Sequence, residues 1–538
     1  MTARRPSWMR GVRRVIARLR GLGMSRVPDG PAQPVRDPWP GDPTRGAALM
    51  KGEFALAGGG TYLRPGEFAK VSAPPLLLGA LHGFVWLRDL RALGTDGARM
   101  RARALVAEWI AAGSALPAIA RRPDVVGSRV AAWLGHYDFF AASADDGFRQ
   151  KLMARLVSDA RALAASLPTE ELDGRALTAV KGLVVAAVAL PDHAGFMARA
   201  QKILPQEIAR QIMADGTHCE RSPAQQLVVL QELTEIRSLL QAGQVNPPLV
   251  LSLAIERVSL ALRMMRHGDG GLALFNGTRE EPAAMIELAL TQAGRPGRAP
   301  GPLNDGGFHR LQAGRSLLIM DCGAPPPPRL DRFSHAGTLG FELSIGRERL
   351  ITNCGAMPGA AAEWRDACRS SAAHSTLIIA DTNSSELREN AAGLTALGRR
   401  PEIVEVSRQE ARGAHWLDAS HDGYVRPFRA VHRRRLYMSE SGEDIRGEDV
   451  IEAETGQPFV VRFHLHPGVG ASLQGDGDAV LMRLPGGGFW RFRAEGAAMT
   501  LEESIYLAGA EPRRCEQIVL TAPMEGPQQV KWGIAKVG

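Results

Sequence analysis

His218, Glu220 and Arg221 stand within four positions, in Asp215-Gly216-Thr217-His218-Cys219-Glu220-Arg221-Ser222-Pro223. An imidazole can act as a base or neutralise an anion, and a neighbouring carboxylate can orient it. A guanidinium can grip a carboxylate through two parallel hydrogen bonds. The same residues also read as a solvated helix start, with Ser222 before the helix and Pro223 at its first position. Gln225 and Gln226 follow directly.

Three further stretches carry acid–base side chains. His374 stands among small residues in "RSSAAHSTLIIAD", where a ligand could approach closely; it reads equally as a histidine bonded within a sheet edge. Asp418, His421, Asp422 and Tyr424 fall within seven positions in "DASHDGY". His421 with Asp418 could contribute to a metal site, although the spacing fits no strong zinc pattern. A tyrosine beside basic residues such as Arg426 and Arg429 can have a lowered pKa and serve as a proton donor. His432 to Arg435 form a basic strand, with Arg433 a candidate contact for an anionic chain; the alternative is an edge strand guarded by charge. His464 and His466, in "RFHLHP", share a face by the two-residue strand period, and paired polar groups on a solvated sheet account for them as well as a metal does.

The elements that must position these groups change character along the chain. Residues 76–290 carry helical periodicity: "FRQKLMARLVSDARALAASL" puts Phe148, Leu152, Leu156, Ala160 and Leu163 on one face. "AGRPGRAPGPLNDG", residues 293–306, reads as a linker. After it come short β-rich runs broken by turns, among them "FELSIGRERLITN" as a hairpin, which suggests an antiparallel sandwich. The plan is a basic tail over 1–36, a helical domain over 37–292, the linker over 293–306, and an all-β domain over 307–538.

The totals exclude some classes. The 538 residues are 45% hydrophobic and 23% charged, a globular balance without disordered or collagen-like bias. Five scattered cysteines without a Cys-x-x-Cys pair argue against a zinc ribbon or a disulfide framework. The formal net charge of +8 permits an anionic partner. Nucleic acid is disfavoured, because basic motifs interleaved with aromatics are missing. The first twenty residues hold seven arginines and no acid, with Trp8, Val12, Ile16 and Leu19 at helical spacing. Residues 1–23 therefore read either as a basic amphipathic helix for an anionic membrane surface or as an arginine-rich tail. No standard signal-peptide pattern is present.

Taken in order, "DGTHCERSP", "RSSAAHSTLIIAD", "ASHDGY", "HRRRLY" and "RFHLHP", with "DPWPGDPTRG" and "RHGDGGLALFNG", resemble the heparinase II/III family of polysaccharide lyases. The resemblance implies an α+β multidomain protein, an incomplete (α/α) toroid followed by an antiparallel β-sandwich. It implies cleavage of an acidic, uronate-containing polysaccharide by β-elimination in a cleft between the domains. His374, Tyr424 and His218 would be its catalytic groups. Glu220, Arg221, Gln225, Gln226 and Arg433 would bind substrate. A structural divalent cation in the β-sandwich, on His421 and Asp418, is the one cofactor the pattern leaves room for. The substrate class places the protein in the cell envelope or periplasm, and the missing signal peptide in the cytoplasm; oligomeric state is left open.

The sequence also departs from the family. Active relatives carry a tyrosine shortly after the Asp-Gly-x-x-x-Glu stretch, where Ala224, Gln225 and Gln226 stand here. An Asn or His earlier in the toroid is replaced by "LDGRALTAVKG". The alternative to a lyase is a non-catalytic glycan-binding protein of the cell envelope that keeps the cleft and has lost the chemistry.

Overall fold

The computed structural model describes residues 27–191, 194–294, 302–389, 395–475, 477–525 and 528–538. The basic tail up to residue 26, with its membrane contact, and residues 295–301 of the linker lie outside the described residues.

The first half is built on helices, the longest being Asp146–Ser166, Pro223–Ala242, Ala194–Gln211, Asp96–Ala112, Leu249–Met264 and Arg175–Ala189. Their apolar stripes bury one shared core, in which Leu152, Leu156, Ala160 and Leu163 all lie inward. Helix Arg175–Ala189 is central and packs against Pro123–Gly135, Ala194–Gln211 and Pro223–Ala242. It crosses Pro123–Gly135 where two glycines meet: a Cβ on Gly182 would fall 2.3 Å from the Gly127 Cα. No other residue type permits that approach, and it lets the helix axes sit close. A short hairpin, Glu53–Leu56 with Gly59–Tyr62, interrupts the helical half; the glycine-rich "LAGGGTY" hid it from the helical reading.

The second half is a pair of antiparallel sheets. One runs, in spatial order, Ala498–Tyr506, Arg513–Ala522, Phe459–Leu465, Glu348–Thr352, Phe341–Ile345, Ser316–Asp321 and Phe308–Ala313, with Leu377–Ile379 paired to Phe459–Leu465. The other runs Val404–Ala411, Ala414–His421, Ala430–Met438, Asp444–Ala453, Gln529–Val537, Phe489–Glu495, Ala479–Arg483 and Gly470–Gln474. Between them lies a core centred on Phe341, Phe463, Phe492 and Trp532, whose rings stack or meet edge to face at 4.9–6.2 Å. "FELSIGRERLITN" forms the expected hairpin, Phe341–Ile345 with Glu348–Thr352.

Candidate functional site

The loop Asp215–Ser222 enters helix Pro223–Ala242 at the junction of the two halves. Ser222 caps the helix by accepting from the Gln225 N–H at 3.4 Å, and Pro223 takes the first turn, where no N–H is required. The capping reading therefore holds, but the charged residues ahead of it are not solvated: His218, Glu220 and Arg221 are all buried.

Each of the three has a fixed partner. Arg221, in a left-handed backbone conformation at φ 51°, reaches across the junction. It forms an ion pair with Asp321 at the end of strand Ser316–Asp321 and donates to the carbonyls of Gly306, Gly323 and Ala324 at 2.7, 3.1 and 3.0 Å. Asn276 donates to Asp321 at 3.3 Å and to the Arg221 carbonyl at 2.9 Å. Glu220 accepts from Arg332 of the β half at 2.5 and 3.2 Å and from the Gly174 N–H at 3.0 Å. Asp173 lies 3.5 Å from the same guanidinium. Burial pushes the Asp173 carboxyl up, but Arg332 and Arg175 outweigh it and hold the group below the usual carboxylate range. Arg332 in turn is held above its ordinary value, the pull of Glu220 and Asp173 exceeding the effect of burial.

His218 accepts the Glu220 N–H at Nδ1, 3.3 Å, so Nε2 carries the proton and donates to Gln211 at 3.0 Å. Burial lowers its pKa, with Glu220 only partly opposing, and the ring stays neutral at neutral pH. Gln226 accepts from the His218 N–H at 2.7 Å and donates to the carbonyls of Gly216 and Val258 at 2.7 and 3.1 Å. Gln225 lies 3.4 Å from Arg332.

His374 sits across the junction, 1% exposed, on the turn ahead of strand Leu377–Ile379. Its Nδ1–H donates to the Ser370 carbonyl at 2.7 Å. Its Nε2 is 3.0 Å from Nδ1 of His335. His335 accepts the Gly277 N–H at Nε2, 3.0 Å, so its proton is on Nδ1 and points at His374. Every ring nitrogen of the pair is used with both imidazoles neutral. Burial brings the pKa of His374 down to about 4, and burial with the neighbouring His374 and Arg369 holds that of His335 well below its ordinary value. Gly337 completes the enclosure, since a Cβ there would fall 2.5 Å from His374 Cδ2.

Five sequence expectations meet a different geometry. Tyr424 is fully buried in the sandwich, and its hydroxyl donates to the Leu377 carbonyl at 3.0 Å. Burial raises its pKa well above that of a free phenol, the reverse of what a proton donor needs. Arg433 faces outward and pairs with Asp418 and Glu452 at 3.1 and 2.7 Å; it is the alternate residue Arg434 that turns inward, to Asp449, Leu339 and Ser375. His421 and Asp418, three apart on one strand, point to opposite faces. His421 meets His432, which donates to Asp449 at 2.8 Å, while Asp418 is held by Arg433 and Arg435. Among the described residues no group of three or more His, Cys, Asp or Glu could hold a metal ion. His218, finally, is sealed inside the helical half by Gln211 and Gln226 and does not share an open cleft with His374. His464, read as solvated, is also buried, bonded to Ser504 and the Ala372 carbonyl at 2.8 and 2.9 Å.

Comparison with known proteins accords with this architecture. Residues 295–533 match the family "Heparinase II/III-like, C-terminal". The chain is 32% identical over 531 residues to FtsZ-localized protein C of Caulobacter vibrioides (strain NA1000 / CB15N), covering 95% of this chain and 91% of the relative. This chain belongs to the heparinase II/III-like family. In structure, heparinase III is similar with a TM-score of 0.71 at 15% identity, over 90% of this chain and 80% of that one. Heparan sulfate lyase from Pedobacter heparinus matches with a TM-score of 0.58 at 15% identity, over 98% of this chain and 87% of the other. At that identity the two share a fold with this heparinase II/III-like protein.

Sequence reading missed the β-half partners that complete the junction: Arg332 and His335 in "LDRFSHAG", and Asp321. Only the buried-charge rule could have found them, because Glu220 and Arg221 cannot be enclosed without counter-charges somewhere distant in the chain.

Proposed function

We propose that this protein keeps the architecture of a polysaccharide lyase, an incomplete (α/α) toroid on a β-sandwich, without lyase chemistry, and works as a non-catalytic binding scaffold associated with FtsZ-based cell division. The observation that carries the reading is the His335–His374 contact. Elimination next to a uronic carboxylate requires that carboxylate to be neutralised, a base for the α-proton and an acid for the leaving oxygen. His374 has no free nitrogen for any of these roles. The guanidinium of Arg221 is spent on Asp321, and that of Arg332 on Glu220 and Asp173, so neither is free for a substrate carboxylate. Tyr424 is enclosed, and Ala224-Gln225-Gln226 stand where the resemblance calls for a tyrosine. The name of the Caulobacter relative, shared over nearly the whole chain, supports the link to division.

The second reading is an active lyase, favoured by His374 at the position the family resemblance assigns to its histidine. Co-sedimentation with FtsZ polymers, run beside an assay for unsaturated uronate, separates the two. Binding to polymers without product is the outcome the scaffold reading requires. Product without binding refutes it.

A further inference from the structure

The sandwich is open along one side. Strand Val404–Ala411 is the edge of its sheet: it pairs with Ala414–His421 over eight residues in unbroken register, and its other side meets no strand among the described residues. Long regular edges are normally blunted by bulges, prolines or covering segments. Among the described residues this one has none of these along its length, and its protection is limited to the charges of Glu405, Arg408 and Glu410. Its inward-facing residues Val404, Val406, Arg408 and Glu410 continue the core side of the sheet, opposite the inward partners His421, Ala419, Leu417 and His415. Val404 packs against the sandwich core, but the strand opens beyond it. Val406 stays 36% exposed, and Ile403 just ahead of the strand 61%. Between them and strand Phe308–Ala313 lies a groove of about 720 Å³.

The groove is not generic surface. His309 lines it from the opposite strand, 5% exposed, with Nδ1 enclosed and without a hydrogen-bond partner. Burial and the neighbouring Arg408 bring its pKa down to about 4, so it adds no charge at neutral pH. Asp305, Glu402 and Glu410 line the rim beside one lining guanidinium, Arg408, 3.6 Å from Glu410; Arg426, outside the lining, pairs with Glu402 at 3.0 Å, which leaves the carboxylates in excess. On a chain of net charge +8 this is an acidic groove beside an open strand.

We infer that Val404–Ala411 is a docking edge for an extended basic segment of a partner protein, which adds a strand to the sheet and sends alternate side chains into the groove. Main-chain hydrogen bonds to the free edge supply affinity, and the alternating pockets supply selection. Apolar side chains would lie against Val404 and Val406, and lysine or arginine would reach Glu402, Glu410 and Asp305. The inference goes beyond the scaffold reading, since an active lyase could carry the same edge.

The test uses the full chain and a fluorescent, N-acetylated nine-residue peptide, Lys-Thr-Val-Thr-Val-Thr-Val-Thr-Lys, whose lysines and valines share one face of a strand, followed by anisotropy. Four companions are run: the same peptide N-methylated at alternate amides, the Glu402→Gln/Glu410→Gln protein, and, in sedimentation equilibrium, the protein alone and its Val406→Lys variant. The edge predicts saturable binding, weakened about tenfold or more by N-methylation, which keeps the charge but removes the ladder, and weakened also by the double substitution. Absence of saturable binding overturns the inference. So does equal binding of the N-methylated peptide, which would reduce the effect to charge. So does a dimer broken by Val406→Lys, which would assign the edge to a second copy. Loss of uronate-product formation in the double variant would instead tie the groove to a glycan and overturn it in the same way.

Discussion

Nε2 of His374 and Nδ1 of His335 lie 3.0 Å apart, with the two rings inclined at 80°. The contact closes the nitrogen that would otherwise face the junction between the halves, and it fixes both tautomers. A pair of neutral imidazoles in a dry site has a thermodynamic signature.

That signature is pH dependence. His374 is lowered to about 4 from a usual value near 6.5, and His335 is also held well below its usual value. A base with a depressed folded-state pKa is protonated first in the unfolded chain. Its contribution is therefore intact above the unfolded pKa and drains away as pH falls from about 6.5 toward the folded value, with a slope of up to roughly 1.4 kcal/mol per pH unit per group. Thermal melts between pH 7 and 4 should show Tm falling steadily, and His374→Asn should flatten the slope. A wild-type Tm that is level over this range would show that these histidines titrate normally.

Arg221 and Asp321 form a buried ion pair between the halves. Removing one charge strands the other, at a cost of about 3–5 kcal/mol. Arg221→Met and Asp321→Leu should each destabilise by that order in urea unfolding, and the double substitution by much less than the sum. Additive effects would mean that the two charges do not depend on each other.

Tyr424→Phe removes one hydroxyl that donates to the Leu377 carbonyl and leaves the ring in the core. The expected cost is about 1 kcal/mol of stability, measured by denaturant midpoint, with polymer binding unchanged. A loss of binding in the folded variant would restore a functional role to this tyrosine.

Asp418 is committed to Arg433 and Arg435, and His421 to His432, on opposite faces of one strand. EDTA, or added calcium or zinc, should leave Tm unmoved within error. A rise of several degrees with one divalent ion would locate a metal site that this geometry does not provide.

How much was legible in the sequence follows from how local each feature is. Helices announced themselves through periodicity, since Leu152, Leu156, Ala160 and Leu163 bury one stripe. The hairpin at 341–352 followed from alternation around Gly346. The cap at Ser222-Pro223 was local too. What stayed hidden depends on residues far apart in the chain. Glu220 meets Arg332 at a separation of 112 residues and Arg221 meets Asp321 at 100, so both looked like free, solvated charges. His335 is 39 residues from His374, and no spacing rule joins them. Arg433 and Arg434 differ only in which face of the strand they occupy. Register decides that, and nothing in a run of arginines reveals it.

The most direct measurement of the central claim is the ultraviolet absorbance of unsaturated uronate, recorded while purified full-length protein is incubated with a panel of uronic polysaccharides, beside the His374→Ala protein. The account predicts no increase above the variant for any polysaccharide, because the imidazole at the junction is already occupied. Sustained product formation by the wild type that disappears in His374→Ala would contradict it.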